Sequence, residues 1–489
     1  MAVYKDGDKW CVIYRYTNYK GKWKQTQRRG FATKREAVAW EQEVMLKSKP
    51  KDVIVLLRII NTQKQDLTGL VSNPDIDFSR NRKIPYEKMI LSLLTMEGTT
   101  LTNELLRQFG CDASTATSSA FVQQRKKILP LALEKLFQDF VSQTSQNDTY
   151  KGHRLLAVDG SDIQIPTNSE AVDSLFIPKE GAKPYNLLHL NALYNLLAHT
   201  YEDAIVFKRK EAFEKKALTE MVDRSTIDEK AIVIMDRGYE SYNVMAHIQE
   251  KGWFYLIRVK DFGKHKTGII DDLELPNAEE FNEHIDLNLT RKQTNEMKKV
   301  FKMKNKYRRI ANNKTFEYLP STSKKSDATV LYHLPFRIVR FPISDDSYEV
   351  VVTNLDSEEF PPEELKKLYG MRWGIETSFR DLKYTVGLLH FHSKKVEYIF
   401  QEIFASLIMY NFSELITSHV VIEKGNRKYD YKVNFSVSVH ICREFLLKAN
   451  IPPDIESLIA RYITPIRPGR SRPRDTKVKQ AISFMYRVA

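Results

Sequence analysis

The chain has 489 residues, 42% of them hydrophobic, which allows several domains with sizeable cores and excludes a disordered or fibrous chain. A formal net charge of +14 with a pI near 9.3 favours a polyanionic partner over an acidic or neutral one. No apolar run reaches the roughly 18 residues of a membrane span, the N-terminus lacks the basic-then-apolar order of a secretion signal, and Cys11, Cys111 and Cys442 lie far apart without a zinc or disulfide pattern. A cytoplasmic protein with no membrane partner is expected, nucleoid-associated when bound, its cysteines serving as buried small apolar residues.

The charge is concentrated. Residues 1–52 hold 13 Lys/Arg against 6 Asp/Glu, a surplus of 7, so half the excess sits in about a tenth of the chain. Further basic stretches run over 291–314 and 467–479. Phosphates of a nucleic-acid backbone reward each such charge.

The first fifty residues, "AVYKDGDKWCVIYRYTNYKGKWKQTQRRGF", alternate aromatic and β-branched residues with Asp-Gly and Lys-Gly breaks, which predicts a three-stranded meander. "ATKREAVAWEQEVML" follows with a Thr33 cap and helical spacing of Ala37, Trp40 and Val44. Lys22, Lys24, Arg28 and Arg29, interleaved with aromatics, suit a sheet laid against a DNA groove. This β-β-β-α module resembles the arm-type DNA-binding domain of phage and conjugative-transposon integrases. The Arg, His-x-x-Arg and nucleophilic Tyr set of a tyrosine recombinase does not follow it.

Residues 54–150 read as helical, clearest in "PYEKMILSLLTMEGTTLTNELLRQF" and "STATSSAFVQQRKKILPLALEKLFQDFV". "SAFVQQRKKI" is either a DNA-reading helix or a structural helix with a solvated face. From 153 strands and helices alternate. "RLLAVDGSDIQIP" reads as a buried strand leaving into a turn, "HLNALYNLLAHTYEDAIVFK" as two strands turning at Glu202 and Asp203, "AIVIMDRGY" as another buried strand, and "WFYLIRVK" as a fifth, with helices between them. A mixed α/β sheet is implied, interrupted over 261–348 by polar, basic, β-rich sequence.

Asp159 and Asp236 stand where two buried strands end, the edge at which open α/β sheets bind ligands. Either alone is equally an Asp that forms a turn before Gly or Arg-Gly. Asp162, three residues on, is the weaker candidate, and Arg237 and Tyr239 either orient Asp236, touch DNA or form its turn. A third acid comes from "YGMRWGIETSFRDLKY": at about 100° per residue, Tyr369, Arg372, Glu376 and Lys383 fall within roughly 60° around one helix. Ile375, Phe379 and Leu382 supply an apolar face beside that stripe. The alternative is a solvated run of i,i+4 pairs. Three acids from separate elements can hold two magnesium ions for phosphodiester chemistry. His153, His189 and His199 lack ligand spacing and read as packing or surface residues, Trp253 as core, and Asp381 and Glu364 lie off the stripe.

The stripe, Tyr-x2-Arg-x3-Glu-x6-Lys, together with "DGS" at Asp159, "DRGY" at Asp236 and the insertion before the glutamate helix, resembles the Y-R-E-K pattern of bacterial DDE transposases of the insertion-sequence-four family, over roughly 57–489. The resemblance implies a ribonuclease-H-like mixed-sheet catalytic core interrupted by a β-rich insertion. It also implies metal-dependent cleavage at the element's terminal inverted repeats and strand transfer into target DNA, by a homodimer on double-stranded DNA. It makes Asp159, Asp236 and Glu376 the catalytic and metal-binding triad, for two magnesium ions with manganese able to stand in, and Tyr369, Arg372 and Lys383 DNA contacts, with Arg237 beside them. The expected organisation is an arm module at 1–50, a helical DNA-binding domain at 54–150, the catalytic core at 153–260 and 349–420 around the insertion at 261–348, and a basic C-terminal region at 421–489. The rivals are a non-catalytic, transposase-derived DNA-binding protein and a tyrosine-recombinase relative.

Overall fold

The computed structural model describes residues 2–7, 9–17, 23–37, 51–80, 82–146, 148–177, 183–209, 213–261, 268–320, 330–344, 347–420, 422, 429–447 and 455–466. The chain divides into two compact units, one of Met1–Ser145, Gln164–Leu187 and Arg380–Ala489, the other of Gln146–Ile163 and Leu188–Phe379. No helix among the described residues is long and apolar enough to cross a membrane.

The first unit opens with the expected meander: β1 (Ala2–Asp6), β2 (Lys9–Thr17) and β3 (Trp23–Phe31) pair antiparallel in that order. Thr33 accepts a hydrogen bond from the Glu36 amide at 3.2 Å, the cap expected of a following helix; Trp40 and Val44 lie outside the described residues. Helices α1 (Lys51–Gln65), α2 (Tyr86–Thr95), α3 (Leu101–Gln108), α4 (Ser118–Arg125) and α5 (Pro130–Thr144) follow. Each long helical stretch of the sequence is thus two helices, the later ones begun by Thr100 and Thr117 caps and by Pro130 in the first turn.

α4 is anchored through Arg125, which is buried and donates to Gln401 Oε1 at 2.9 Å, Glu402 Oε1 at 2.8 Å and the Tyr398 carbonyl at 2.6 Å. That makes Arg125 a structural residue. Cys11 and Cys442 are buried as expected, but Cys111 is exposed: it follows Gly110 at the end of α3 in a left-handed turn, φ 56°, which turns it to solvent.

The second unit is built on a mixed sheet. Its strands are β4 (Arg154–Ile165), β6 (Tyr185–Asn195), β7 (Thr200–Lys208), β8 (Ala231–Met235), β9 (Phe254–Val259), β10 (Phe281–Thr290), β11 (Tyr307–Arg309), β12 (Tyr332–Ser344) and β13 (Ser347–Thr353). They run in the order β7-β6-β4-β8-β9-β13-β12-β10-β11; the short β5 (Leu175–Phe176) pairs Asn186 and Tyr185, which belong with it to the first unit. β4, β8 and β9 are parallel, β6 and β7 antiparallel. This is the mixed α/β sheet expected from the sequence. Helices α6 (Glu214–Arg224) and α7 (Tyr242–Glu250) bury Leu218, Met221, Met245 and Ile248 in a core with Leu156, Val233, Tyr255 and Ile257, where Trp253 also sits. The interrupting segment contributes β10, β11 and β12, which continue the sheet beyond β13.

Two local expectations fail for tertiary reasons. The β6-β7 turn falls at 196–199, where Asn195 Oδ1 accepts from the Leu197 and Ala198 amides and His199 takes φ 57°. Glu202 and Asp203 are instead strand residues, neutralised by Arg154 at 3.5 Å and by both Arg224 nitrogens at 2.6 and 2.7 Å. Nor does β4 leave into a turn after Asp159: it continues to Ile165, with Ile163 and Ile165 buried.

Candidate active site

Asp159 and Asp236 are brought together by register. β4 and β8 pair Leu156 with Val233 and Ala157 with Ile234, and two more residues along each strand stand Asp159 and Asp236. Asp236 ends β8 and caps the one-turn helix Arg237–Tyr239, accepting from the Gly238 amide at 2.7 Å. Asp159 accepts from the Gly160 amide at 2.9 Å. Burial, then repulsion from Asp236 and Glu376, pushes Asp159 up to about 6 against the pull of the Gly160 amide and Arg372. The three acids and Arg372 thus share one electrostatic neighbourhood.

Glu376 comes from helix, but not from one continuous helix. α9 (Pro362–Met371) stops at Arg372, α10 (Trp373–Arg380) restarts the turn, and Asp381–Thr385 is a π-helical turn. The i→i+5 bonding of that turn breaks the 3.6-residue period by which Lys383 aligned with the other three. Lys383 also belongs to the first unit, whereas Tyr369, Arg372 and Glu376 belong to the second. Arg372 is buried and donates from Nη2 to Glu376 Oε1 at 2.8 Å, which fixes the glutamate from one turn away. Tyr369 is buried with Arg372 over its ring, and Trp373, on the other side of the guanidinium, is 52% exposed.

α10 docks closely. A methyl group built on Gly374 would lie 2.9 Å from Leu196 Cδ2, Ser378 Oγ is 2.9 Å from the Tyr201 hydroxyl, and Ile375 and Phe379 are buried. The apolar face beside the stripe is thus what seats Glu376 on the sheet.

Sequence reasoning missed a second ring of groups. His189 on β6 is buried, with Nδ1 2.7 Å from Asp162 Oδ1 and Nε2 3.2 Å from Glu214 Oε1. Burial opposes its protonation, but the two carboxylates overcome that and raise it to about 9. Asp162 is thus a partner of His189, and Glu214, the first residue of α6, had no motif to mark it. Space for the ring exists because residue 160 is glycine: a Cβ there would stand 2.4 Å from His189 Nε2 and 2.8 Å from Glu214 Oε1. Gly160→Ala is expected to cost about 1–3 kcal/mol and lower the thermal midpoint by a few degrees in a melting scan.

Elsewhere the expected site residues spread out. Arg237 is exposed in the turn after Asp236, and Arg29 is exposed on β3. Lys24 and Arg28 lie on β3, while Lys22 and the basic stretch 467–479 lie outside the described residues. Within 291–314, Arg291 is structural: it is buried and donates to the carbonyls of Ala311, Lys314 and Phe316. His153 is buried against Phe254 and Phe360.

Oxygen-only donors held half-buried at a strand edge fit a hard divalent cation in chemistry. Among the described residues no three His, Cys, Asp or Glu side chains stand together as a ready ligand cluster. The carboxylates repel one another, and each is held by its own hydrogen bond, Glu376 by Arg372 and the aspartates by adjacent amides.

Residues 150–412 match the model of the transposase DDE domain, and residues 2–48 match that of an arm DNA-binding domain. Among solved structures, a piggyBac transposase synaptic complex with hairpin DNA, determined by cryo-EM, overlaps 86% of this chain and 87% of its own at 10% identity and a TM-score of 0.45. No curated protein matches the chain. With the DDE domain filling more than half of its length, the chain belongs to the DDE transposase family and is a DNA-binding enzyme that cleaves and transfers DNA strands.

Proposed function

We propose that Asp159, Asp236 and Glu376 are the acidic triad of this transposase, that it belongs to the insertion-sequence-four branch, and that it acts as a homodimer on the terminal inverted repeats of its own element. The observation carrying this reading is the β4-β8 register, which sets Asp159 beside Asp236 at the edge where Glu376 is held by Arg372. Divalent-metal dependence comes with the family; two magnesium ions, with manganese as substitute, are our assignment.

The ions, when bound, supply water activation and neutralise charge at the leaving oxygen. Water attacks the phosphodiester at the element end, the phosphorus–oxygen bond to the 3'-oxygen breaks, and that oxygen leaves as a 3'-hydroxyl. The freed hydroxyl then attacks a target phosphodiester and displaces a new 3'-hydroxyl. The protein's part is positional: Asp159 and Asp236 are fixed by strand and amides, Glu376 by Arg372 and the docked helix. Lys383 and Arg237 bind backbone phosphates, whereas Arg372, expected to do the same, is buried and instead holds Glu376, with Tyr369 packed against it. Lys22, Lys24, Arg28 and Arg29 of the arm module add affinity for DNA. We retain the division into 1–50, 54–150, 153–260 with 349–420, 261–348 and 421–489 as the functional partition.

The test is nicking of a supercoiled plasmid carrying the element's ends, in magnesium, by wild type and Glu376→Gln. Loss of nicking with unchanged DNA binding supports the assignment. Equal nicking by both removes Glu376 from the chemistry and returns the stripe to a solvated face. Binding without nicking by either supports an inactive DNA-binding descendant of the family.

A further inference from the structure

Helix α10 carries Glu376, and its direction is not simply inherited from α9. The backbone bonds at the joint close tight three-residue turns, from the Arg372 amide to the Tyr369 carbonyl at 3.1 Å and from the Ile375 amide to the Arg372 carbonyl at 3.2 Å. At such a break the following helix takes the direction that packing gives it.

The β6-β7 hairpin supplies that packing. Its turn is fixed by Asn195, and Leu196 in the turn meets Gly374 so closely that a Cβ there would stand 2.9 Å from Leu196 Cδ2. One turn further along α10, Ser378 Oγ lies 2.9 Å from the hydroxyl of Tyr201 on β7 and 2.8 Å from the Ile375 carbonyl. Tyr201 and Ser378 are both buried. A carbonyl only accepts, so Ser378 gives its proton to Ile375 and Tyr201 donates to Ser378. The result is a one-way chain from Tyr201 through Ser378 to the Ile375 carbonyl, and its last two members bracket Glu376. At about 100° per residue Gly374 and Ser378 share one side of α10 while Glu376 points from the opposite side. Any roll of the helix on this seat swings the carboxylate sideways.

Packing alone accounts for only part of Tyr201. Its ring lies against Tyr194 and Phe379, with centroids 5.2 and 6.1 Å away. Phenylalanine would fill the same space and leave no hydroxyl to satisfy. We propose that Tyr201 is a positioning residue for strand cleavage, its hydroxyl fixing the rotation of α10 through Ser378 and so the placement of Glu376. The inference rests on the reading of Glu376 as a member of the triad.

The experiment measures nicking of the supercoiled plasmid carrying the element's ends, in magnesium and with protein in excess, by wild type, Tyr201→Phe, Ser378→Ala and the double variant. Three quantities are read: the rate at saturating protein, the protein concentration for half-saturation, and Tm. Tyr86→Phe, which removes a buried hydroxyl 3.1 Å from Gln63 Oε1 in the first unit, is the control for lost stability alone. Tyr201→Phe is expected to lower the saturated rate by about 10-fold with half-saturation unchanged, because small displacements of a catalytic group are costly. Tyr86→Phe should lower Tm by a similar amount and leave the rate alone. The double variant should be no slower than Ser378→Ala, in which the chain is already broken. A wild-type rate in Tyr201→Phe, with Glu376→Gln inactive in the same assay, overturns the inference and leaves the triad intact. A slowed rate that Tyr86→Phe matches makes the role of Tyr201 structural and also overturns it. If Glu376→Gln nicks like wild type, the triad reading falls and this inference with it.

Discussion

Asp159→Asn is expected to lower strand cleavage by about 10³-fold or more, equivalent to about 4 kcal/mol of transition-state stabilisation, and at the same time to stabilise the metal-free protein. Asn keeps the shape and can still accept from the Gly160 amide, so the strand edge is undisturbed. What it removes is a charge that the site resists: Asp159 stands at about 6 because it is buried and faces Asp236 and Glu376. The sign follows from the folded value lying above the ordinary 3.8. The stability linked to this group is fully present below the ordinary value and is lost as pH rises through about 6. At neutral pH the ionised aspartate therefore costs on the order of 2 kcal/mol, after discounting for solvent screening at a half-buried group. Thermal unfolding of metal-free wild type should fall from acidic to neutral buffer, whereas that of Asp159→Asn should fall less, and the variant should melt higher at neutral pH. A variant that is less stable at neutral pH would mean that the Asp159 carboxylate supports the fold through its bond from the Gly160 amide, and is not a strained member of a catalytic set.

Arg125→Met is expected to destabilise the first unit by about 3 kcal/mol, the largest stability effect foreseen for a single replacement. The cost lies in what is left behind. Glu402 would be pushed up by burial, and Arg125, with His392, overcomes that and holds it below the ordinary carboxylate range. Removing the guanidinium strands a buried carboxylate, the Gln401 side-chain oxygen and the Tyr398 carbonyl together. His392, whose backbone amide donates to Glu402 Oε2 at 2.9 Å, softens the loss without replacing three bonds. The double variant Arg125→Met with Glu402→Gln should recover part of the stability, because no lone charge remains. Urea unfolding of the four proteins gives the coupling. DNA affinity under native conditions should be nearly unchanged, since Arg125 is buried; a large loss of affinity with an unchanged urea midpoint would restore α4 as a DNA-reading helix through this residue.

The sequence by itself carried whatever is local or periodic. Alternation and Gly-containing breaks placed the meander of the arm module, and apolar runs ending in Asp placed β4 and β8 with Asp159 and Asp236. The fixed spacing around Arg372 and Glu376 joined these to a family with a known order of acids. Fold class and catalytic class were legible from those features, since short-range pattern decides which segments become strand or helix.

The tertiary structure decided what depends on residues far apart in the chain. Glu202 and Asp203 look like turn residues until Arg154 and Arg224 arrive to neutralise them in a strand. Arg372 and Glu376 are the i,i+4 neighbours the stripe puts together, but a π-helical turn changes the phase before Lys383. His189 and Glu214 have no spacing to each other or to the triad, and only the β4-β6 neighbourhood and the start of α6 bring them against Gly160. Periodicity records the faces of single elements; which charges become partners across elements is set by burial and long-range packing, where an unpaired charge is too costly to leave alone.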